Sequence, residues 1–273
     1  FERVFLLNSM LDLVSFRYLP MAQNFGCTTF AVGGGDERVL IGQTYDMPAL
    51  LQESLLIMRI QPEQGPRQLV FTFSGIVGAS GLNGAGIGLC INYLSPLDVG
   101  MGRLHSIAVR QILAAENLAS ALEPAVVPPR AGGAHYLVAD TAGNRVSIET
   151  TGRKYETVFA DAGAIGHTNH YLGQSLKPVE HIRANSIGSS LSRYAALQRY
   201  LQVHDSELDL DALKRLTQDH TSYPKSICAH GSSHDPADDH SRTLAAMISE
   251  LSEGTMHICR GCACENSYHP VCL

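Results

Sequence analysis

A cysteine directly behind a glycine, Gly26-Cys27, opens a strand-like run with Thr28, Thr29 and Phe30, and a second run ends in Tyr45-Asp46. A buried strand cysteine needs neither the glycine before it nor an acid closing the return strand. If the Gly26–Cys27 bond is cut, Cys27 carries a thiol and a free α-amine on one residue. That amine has an ordinary pKa of about 7.7–8.0 and can take the thiol's proton without a histidine. The same thiol can make the cut, attacking the Gly26 carbonyl and passing through a thioester. Glycine suits that position because it lacks Cβ and tolerates unusual backbone conformations. The plain alternative is an ordinary strand cysteine. The two readings differ in what they require elsewhere: a nucleophile needs oxyanion donors and a partner for its amine.

The elements that must position these groups are short. Runs 27–32 and 39–45, joined by GGGDER, read as a hairpin, and 54–61 with 68–74 repeats the pattern around PEQGPR. The stretch 78–94 is a glycine-rich turn followed by a strand. The spacing predicts a helix over 105–122, with Ile107, Ile112, Leu113, Ala115 and Leu118 on one side and Pro124 stopping it. Strands 135–140 and 145–149 follow. Helices are predicted over 189–202, carrying Leu191, Tyr194, Ala195, Leu197 and Leu201, and over 209–218, with acids in its first turn. Two strands, 242–251 and 255–259, come last. This order implies α+β architecture, antiparallel sheet packed by helices, with both ends of the chain contributing strands. Nothing in the sequence cuts the chain, so 1–273 reads as one domain.

With 273 residues, 45% of them hydrophobic, the chain can bury a sizeable core. A net charge of -6 and scattered histidines supply no basic face for nucleic acid or anionic lipid. No apolar run approaches the roughly 18 residues of a membrane helix. The seven cysteines are an odd number, four of them crowded at the C-terminus, which is not a secreted disulfide framework. Reduced thiols and a cytoplasmic location are the expectation. The chain starts at Phe1 inside what reads as a folded element, so an upstream piece is expected and no targeting signal can be judged.

Two histidine or cysteine groups raise a metal reading. His167 and His170 flank Asn169 in HTNH, and Cys259, Cys262, Cys264, His269 and Cys272 carry enough ligands for a tetrahedral zinc. The preferred reading of the second group is a terminal strand with an extended tail, and no metal is expected at either. His135, His220 and His257 read as satisfied or exposed histidines. GGGDER and GLNGAGIG read as turns rather than phosphate loops, because the second leads into a strand and not a helix.

Six strings in order, GCTTF, GQTYD, GLNGAGIG with INY, GHTNH, YPKSIC and HSRTL, resemble the acyl-coenzyme A:6-aminopenicillanic acid acyltransferase family over nearly the whole chain. The resemblance implies an N-terminal-nucleophile hydrolase, an αββα sandwich of two antiparallel sheets between helical layers, activated by self-cleavage before a cysteine. It implies Cys27 as nucleophile, Gly26–Cys27 as the processing bond, and Asp46 as the acid near the nucleophile's amine. Asn169 corresponds to the oxyanion side chain and the Tyr93 backbone N–H to its companion donor. Arg242 corresponds to an arginine near the nucleophile, with Ser241 beside it. Tyr45, Asn92, His170 and Ser241 are expected to contact substrate. The pieces would then be 1–26, the end of a pro-segment that stays as a partner, and 27–273, beginning with the nucleophile. The hairpin between Cys27 and Asp46 is about one residue longer than in the penicillin enzyme, and the pocket-lining sequence differs, so the substrate does not carry over.

The function expected is amide or thioester acyl chemistry on a small-molecule substrate through a Cys27 thioester, hydrolysis with water and transfer with an amine. No cofactor is required, and acyl-CoA is a candidate donor substrate. The rival readings are a catalytically silent scaffold of the same fold, which retention of Cys27, Asp46, Asn169 and Arg242 together argues against, and a zinc protein organised by the C-terminal cysteines.

Overall fold

The computed structural model describes residues 1–9, 12, 25–33, 38–159, 163–182, 184–204, 207–231 and 241–273. A short helix, α1 (Glu2–Asn8), precedes the hairpin of β1 (Gly26–Val32) and β2 (Leu40–Pro48). Their register sets Gly26 opposite Asp46 and Cys27 opposite Tyr45. Most of the GGGDER turn, 34–37, lies outside the described residues. Gly33 at its start has φ +91°, and a Cβ there would sit 2.0 Å from the Arg38 carbonyl oxygen, so glycine is required.

Two antiparallel sheets stack face to face. The second is a meander of β3 (Leu55–Ile60), β4 (Gln68–Phe73), β5 (Ser80–Asn83), β6 (Ile87–Leu94), β7 (Gly133–Asp140), β8 (Arg145–Thr150) and β9 (Tyr155–Val158). The first runs in the order β10 (Ala164–His167), β1, β2, β11 (Ser241–Glu250), β12 (Thr255–Arg260) and β13 (Tyr268–Cys272). Strands from both ends of the described chain thus meet in one sheet, as the sequence order implied.

Ala31, Ile41, Leu69, Leu137 and Met247 fill the space between the sheets. Helices α2 (His105–Leu113) and α3 (Leu118–Val126) cover the outer face of the second sheet, with Val109, Ile112 and Ala121 against Leu89 and Val138. Helices α4 (Ala184–Val203) and α5 (Leu210–Leu216) cover the first, with Leu197 and Leu213 against Phe30, Val32 and Ile248. Each such side chain, fully buried, contributes on the order of 1.5–3 kcal/mol. The layers are the expected αββα sandwich. No helix among the described residues is long and apolar enough to cross a membrane.

The predicted helix over 105–122 is two helices. Asn117 caps the second, its side-chain oxygen accepting from Ser120 N–H at 3.0 Å, and Pro124 lies inside α3 rather than ending it. The predicted apolar side of α4 is also rotated. Leu191 and Ala195 are exposed, and the buried stripe runs through Ser190, Arg193, Leu197 and Leu201. Side-chain alternation in β1 sets the function. Phe30 and Val32 face the helices, Ala31 faces the second sheet, and by that parity Cys27 points between the sheets.

Candidate active site

Cys27 stands at the mouth end of β1 with its thiol in a pocket of about 170 Å³ between the sheets. The pocket wall is almost wholly apolar, built by Phe25, Tyr45, Met47, Leu51, Phe73 and Ile76. Helix α1 closes one side through Leu7 and Asn8. The Asn8 carboxamide pins that helix, donating to the Gly75 carbonyl at 2.9 Å and accepting from Val77 N–H at 2.8 Å. Tyr45 is held upright by a hydrogen bond from its hydroxyl to Ser80.

Asn169 accepts from the Cys27 backbone N–H at 2.8 Å and donates to the Tyr93 carbonyl at 3.1 Å. The Asn169 side chain and the Tyr93 backbone N–H also face the Cys27 thiol closely enough to favour its charged form. One carboxamide therefore ties the Cys27 nitrogen to the strand that carries Tyr93. Its position is fixed from behind. The Asn169 N–H donates to Ser190 Oγ at 2.8 Å, and the Thr168 hydroxyl donates to the Ser190 carbonyl at 3.0 Å.

On the helix side of β1 lies an arginine that sequence reasoning missed. Arg193 of α4 donates to the Cys27 carbonyl at 2.6 Å, to Thr28 Oγ1 at 2.9 Å and to Asn169 Oδ1 at 2.9 Å. Asp46 faces it across Gly26. A Cβ on Gly26 would sit 2.9 Å from Asp46 Oδ2 and 3.4 Å from Arg193 Nη2, so glycine is what lets the carboxylate approach the chain there. Thr243 of β11 donates to Asp46 Oδ1 at 2.7 Å. The signal for Arg193 was present in the sequence: a guanidinium on a stripe otherwise buried at Ser190, Leu197 and Leu201.

Arg242, expected near the nucleophile, stands elsewhere. Its Nη2 is 3.8 Å from where a Cβ of Gly261 would be, and its charge acts on Cys262 and His230. Among the described residues, the guanidinium whose hydrogen bonds reach Cys27 is that of Arg193. Ser241 begins β11 opposite Pro48 and does not line the pocket. His170 lies behind Asn169, with Nδ1 2.8 Å from Ser190 Oγ, and burial followed by the charge of His167 pushes it down to about 4. Tyr45, Asn92 and Tyr93 do line the pocket. His240, the first residue of HSRTL, lies outside the described residues.

A buried polar chain runs back from Cys27. Asn92 donates to the Cys27 carbonyl at 3.0 Å and accepts from Thr29 Oγ1 at 2.8 Å, and His135 Nδ1 lies 2.6 Å from the same carboxamide oxygen. His135 stacks on His167 at 3.8 Å, and His167 Nε2 lies 2.7 Å from Glu149 Oε1. His167 and His170 are thus committed to different partners and do not form a metal pair. Burial, then His167, holds His135 well below the ordinary imidazole range, so it serves as a neutral hydrogen-bonding strut.

The thiol of Cys27 is pushed up to about 12, first by burial and then by the Asp46 charge, against the pull of Arg193, Asn169 and Tyr93 N–H. Burial raises Asp46 as well, while Arg193 and Thr243 restrain it. A thiol held this high is neutral near pH 7 and becomes a nucleophile only when a base takes its proton.

The family described as "Acyl-coenzyme A:6-aminopenicillanic acid acyl-transferase" matches residues 32–263. The chain belongs to this family. Cys27 lies just before the matched span, so its standing rests on the geometry above. Within the acyl-transferase family, the chain is similar to the "Acyl-coenzyme A:6-aminopenicillanic-acid-acyltransferase 40 kDa form" of Emericella nidulans, 26% identical over 215 residues. That alignment covers 78% of this chain and 59% of the relative, so the chain spans under two thirds of it. A Caenorhabditis elegans N-acylethanolamine-hydrolyzing acid amidase ortholog superposes with TM-score 0.58 at 12% identity, covering 82% of this chain and 93% of its own. A single-residue variant of a conjugated bile acid hydrolase from Clostridium perfringens gives TM-score 0.59 at 12% identity, covering 90% and 92%. At such identities these two establish a shared fold, that of the N-terminal-nucleophile hydrolases.

Proposed function

We propose that this acyl-transferase family member cleaves itself at Gly26–Cys27 and then acts on amides or thioesters of an apolar acyl group. The observation that carries the reading is the Asn169 carboxamide bonded at 2.8 Å to the Cys27 backbone N–H, beside a thiol and a Tyr93 strand that line an apolar pocket. In the first cycle Cys27 Sγ bonds to the Gly26 carbonyl carbon and the Gly26–Cys27 C–N bond breaks, leaving a thioester and a free α-amine. Water then cleaves the thioester, giving a Gly26 carboxylate and restoring the thiol.

The amine so released starts beside Asn169 Oδ1, where the amide nitrogen now sits at 2.8 Å. With an ordinary pKa near 7.7–8.0 it takes the thiol proton and passes it to the leaving amine or thiolate. The substrate's carbonyl oxygen, becoming an oxyanion, takes over the donors that now face the thiol. Water completes hydrolysis and an amine completes transfer. The wall chemistry favours an apolar acyl chain in the pocket, with the polar half of the substrate toward solvent. Acyl-CoA fits as a donor substrate rather than as a resident cofactor.

The test is the denatured mass of purified protein, wild type beside Cys27→Ala, followed by turnover on a panel of N-acyl amino acids and acyl thioesters. Wild type is expected to split before Cys27 and to release free acid from at least one apolar amide, while Cys27→Ala stays whole and inert. Two intact proteins with no turnover would leave only the fold.

A further inference from the structure

The turn between β12 and β13 brings Cys264 against the segment that follows α5. The side chains of His220, Cys228, His230 and Cys264 bring one ligand atom each to this corner, all four atoms lying within 4.8 Å of one another. From the geometry we infer that this corner binds one zinc ion in a His₂Cys₂ centre that staples the C-terminal hairpin to the chain entering β11.

The distances fit the ion. Bonds of about 2.3 Å to sulfur and 2.0–2.1 Å to nitrogen around a tetrahedron give edges of roughly 3.8 Å for S···S, 3.6 Å for S···N and 3.3 Å for N···N. Cys228 Sγ to Cys264 Sγ is 3.6 Å, and His230 Nε2 is 3.7 Å from the first sulfur and 3.4 Å from the second. His220 Nε2 to His230 Nε2 is 3.1 Å. Two thiolates and two imidazoles, with these four separations near tetrahedral edges, suit zinc above harder ions. A carboxylate lies near one ligand, Glu265 Oε1 at 3.8 Å from His230 Nδ1, within reach of its charge but longer than a hydrogen bond.

This set differs from the one suggested by the C-terminal spacing. Cys262 is turned to the Ala229 and Thr243 carbonyls, and Cys272 is exposed beside Thr255. The centre is structural, since four protein ligands leave no open position for a reacting water. It also lies one step from the carboxylate at the nucleophile. Ala229, next to His230, exchanges hydrogen bonds with Thr243, whose hydroxyl holds Asp46.

Elemental analysis of the full chain purified under reducing conditions is expected to find about one zinc per chain. Cys228→Ser and Cys264→Ser should each weaken zinc binding by about 100-fold or more. Cys272→Ser should retain the metal. If a ligand variant fails to fold, wild type loaded with cobalt decides: a tetrahedral spectrum with thiolate-to-metal charge transfer supports the centre. Stoichiometric zinc in both cysteine variants would overturn it. So would reduced wild type that takes up neither zinc nor cobalt, or a Cys228–Cys264 disulfide that persists as the only state after reduction and zinc addition.

Discussion

Two places in this molecule gather cysteine, histidine and arginine, and they differ in what points at the sulfur. At Cys27 the Asn169 side chain and the Tyr93 N–H face the thiol and favour its charged form, while the Arg193 guanidinium donates to the backbone carbonyl. Apolar space lies beside the thiol. At Cys228 and Cys264 the neighbours are groups that can become ligands once deprotonated, His230 Nε2 and the facing sulfur, with His220 Nε2 beside them. Donors around a sulfur with room next to it prepare a reaction centre, because they can hold negative charge that develops there. Thiols and imidazoles gathered in one corner can instead give up protons to a metal ion. The arginines follow the same division. Arg193 is buried with Asp46 as its counter-charge, whereas Arg242 stands by the cysteine corner.

The largest effect should come from removing Arg193. Arg193→Met strips a donor from the Cys27 carbonyl, Thr28 Oγ1 and Asn169 Oδ1 and removes the positive charge near buried Asp46, and each buried partner left unpaired costs about 1–3 kcal/mol, read as a lower midpoint in urea unfolding. The double variant Arg193→Met/Asp46→Asn should regain part of the loss. If the single variant unfolds like wild type, Arg193 is not the anchor described here. Asn169→Ala removes a donor that faces the thiol and is expected to lower kcat by about 10²–10³ on an apolar amide, with the fold intact by circular dichroism. A drop confined to KM would place Asn169 in substrate binding alone.

A third test separates the joined and cleaved states by pH. While Gly26 is attached, a thiol pushed up to about 12 ionises to an extent that rises by about tenfold per pH unit, so the cleavage rate should climb over the whole range from about pH 6 to 9. After cleavage the free amine supplies the base, and kcat/KM should level off above about pH 8. Matching profiles for the two reactions would remove the amine from the mechanism.

The smallest effect concerns the strut behind the site. Burial alone would raise Glu149, but His167 and the N–H groups of Leu172 and Gly173 draw it below the ordinary carboxylate value. Its contribution to stability is therefore present above the unfolded value of about 4.3 and is lost as pH falls through the lower folded one. Glu149→Gln should flatten the acid limb of a thermal-stability profile. An unchanged limb would assign acid sensitivity to other groups.

Much of the architecture could be read along the chain. Thr28, Thr29, Phe30 and Val32 mark β1, the Asp46-Met47-Pro48 end marks where its partner strand stops, and Asp209 caps α5 by accepting from Ala212 N–H as its acidic start suggested. The misreadings have local causes. Pro124 read as a stop because its missing N–H breaks a helix interior, yet it falls near the end of α3, whose real beginning is the Asn117 cap. Leu191 and Tyr194 read as the apolar face of α4, but the sheet surface takes the stripe with Ser190 and Arg193, where polar groups find partners at Asn169 and Cys27. The histidines of HTNH lacked a carboxylate nearby in sequence, and the structure supplies Glu149 from β8.

By itself, the sequence determined the pair Gly26-Cys27 at the start of a strand, the hairpin that follows it and the motifs of the family, because strand preference and turn chemistry are local. Only the tertiary structure decided which arginine reaches Cys27 and which residues join Cys264. Arg193 lies on a helix of the outer layer, and Cys228 and Cys264 are 36 residues apart on segments that meet when β12 pairs with β11 and β13 folds back on β12. Side chains from distant segments converge through sheet order and layer packing, and no spacing along the chain records where those layers touch.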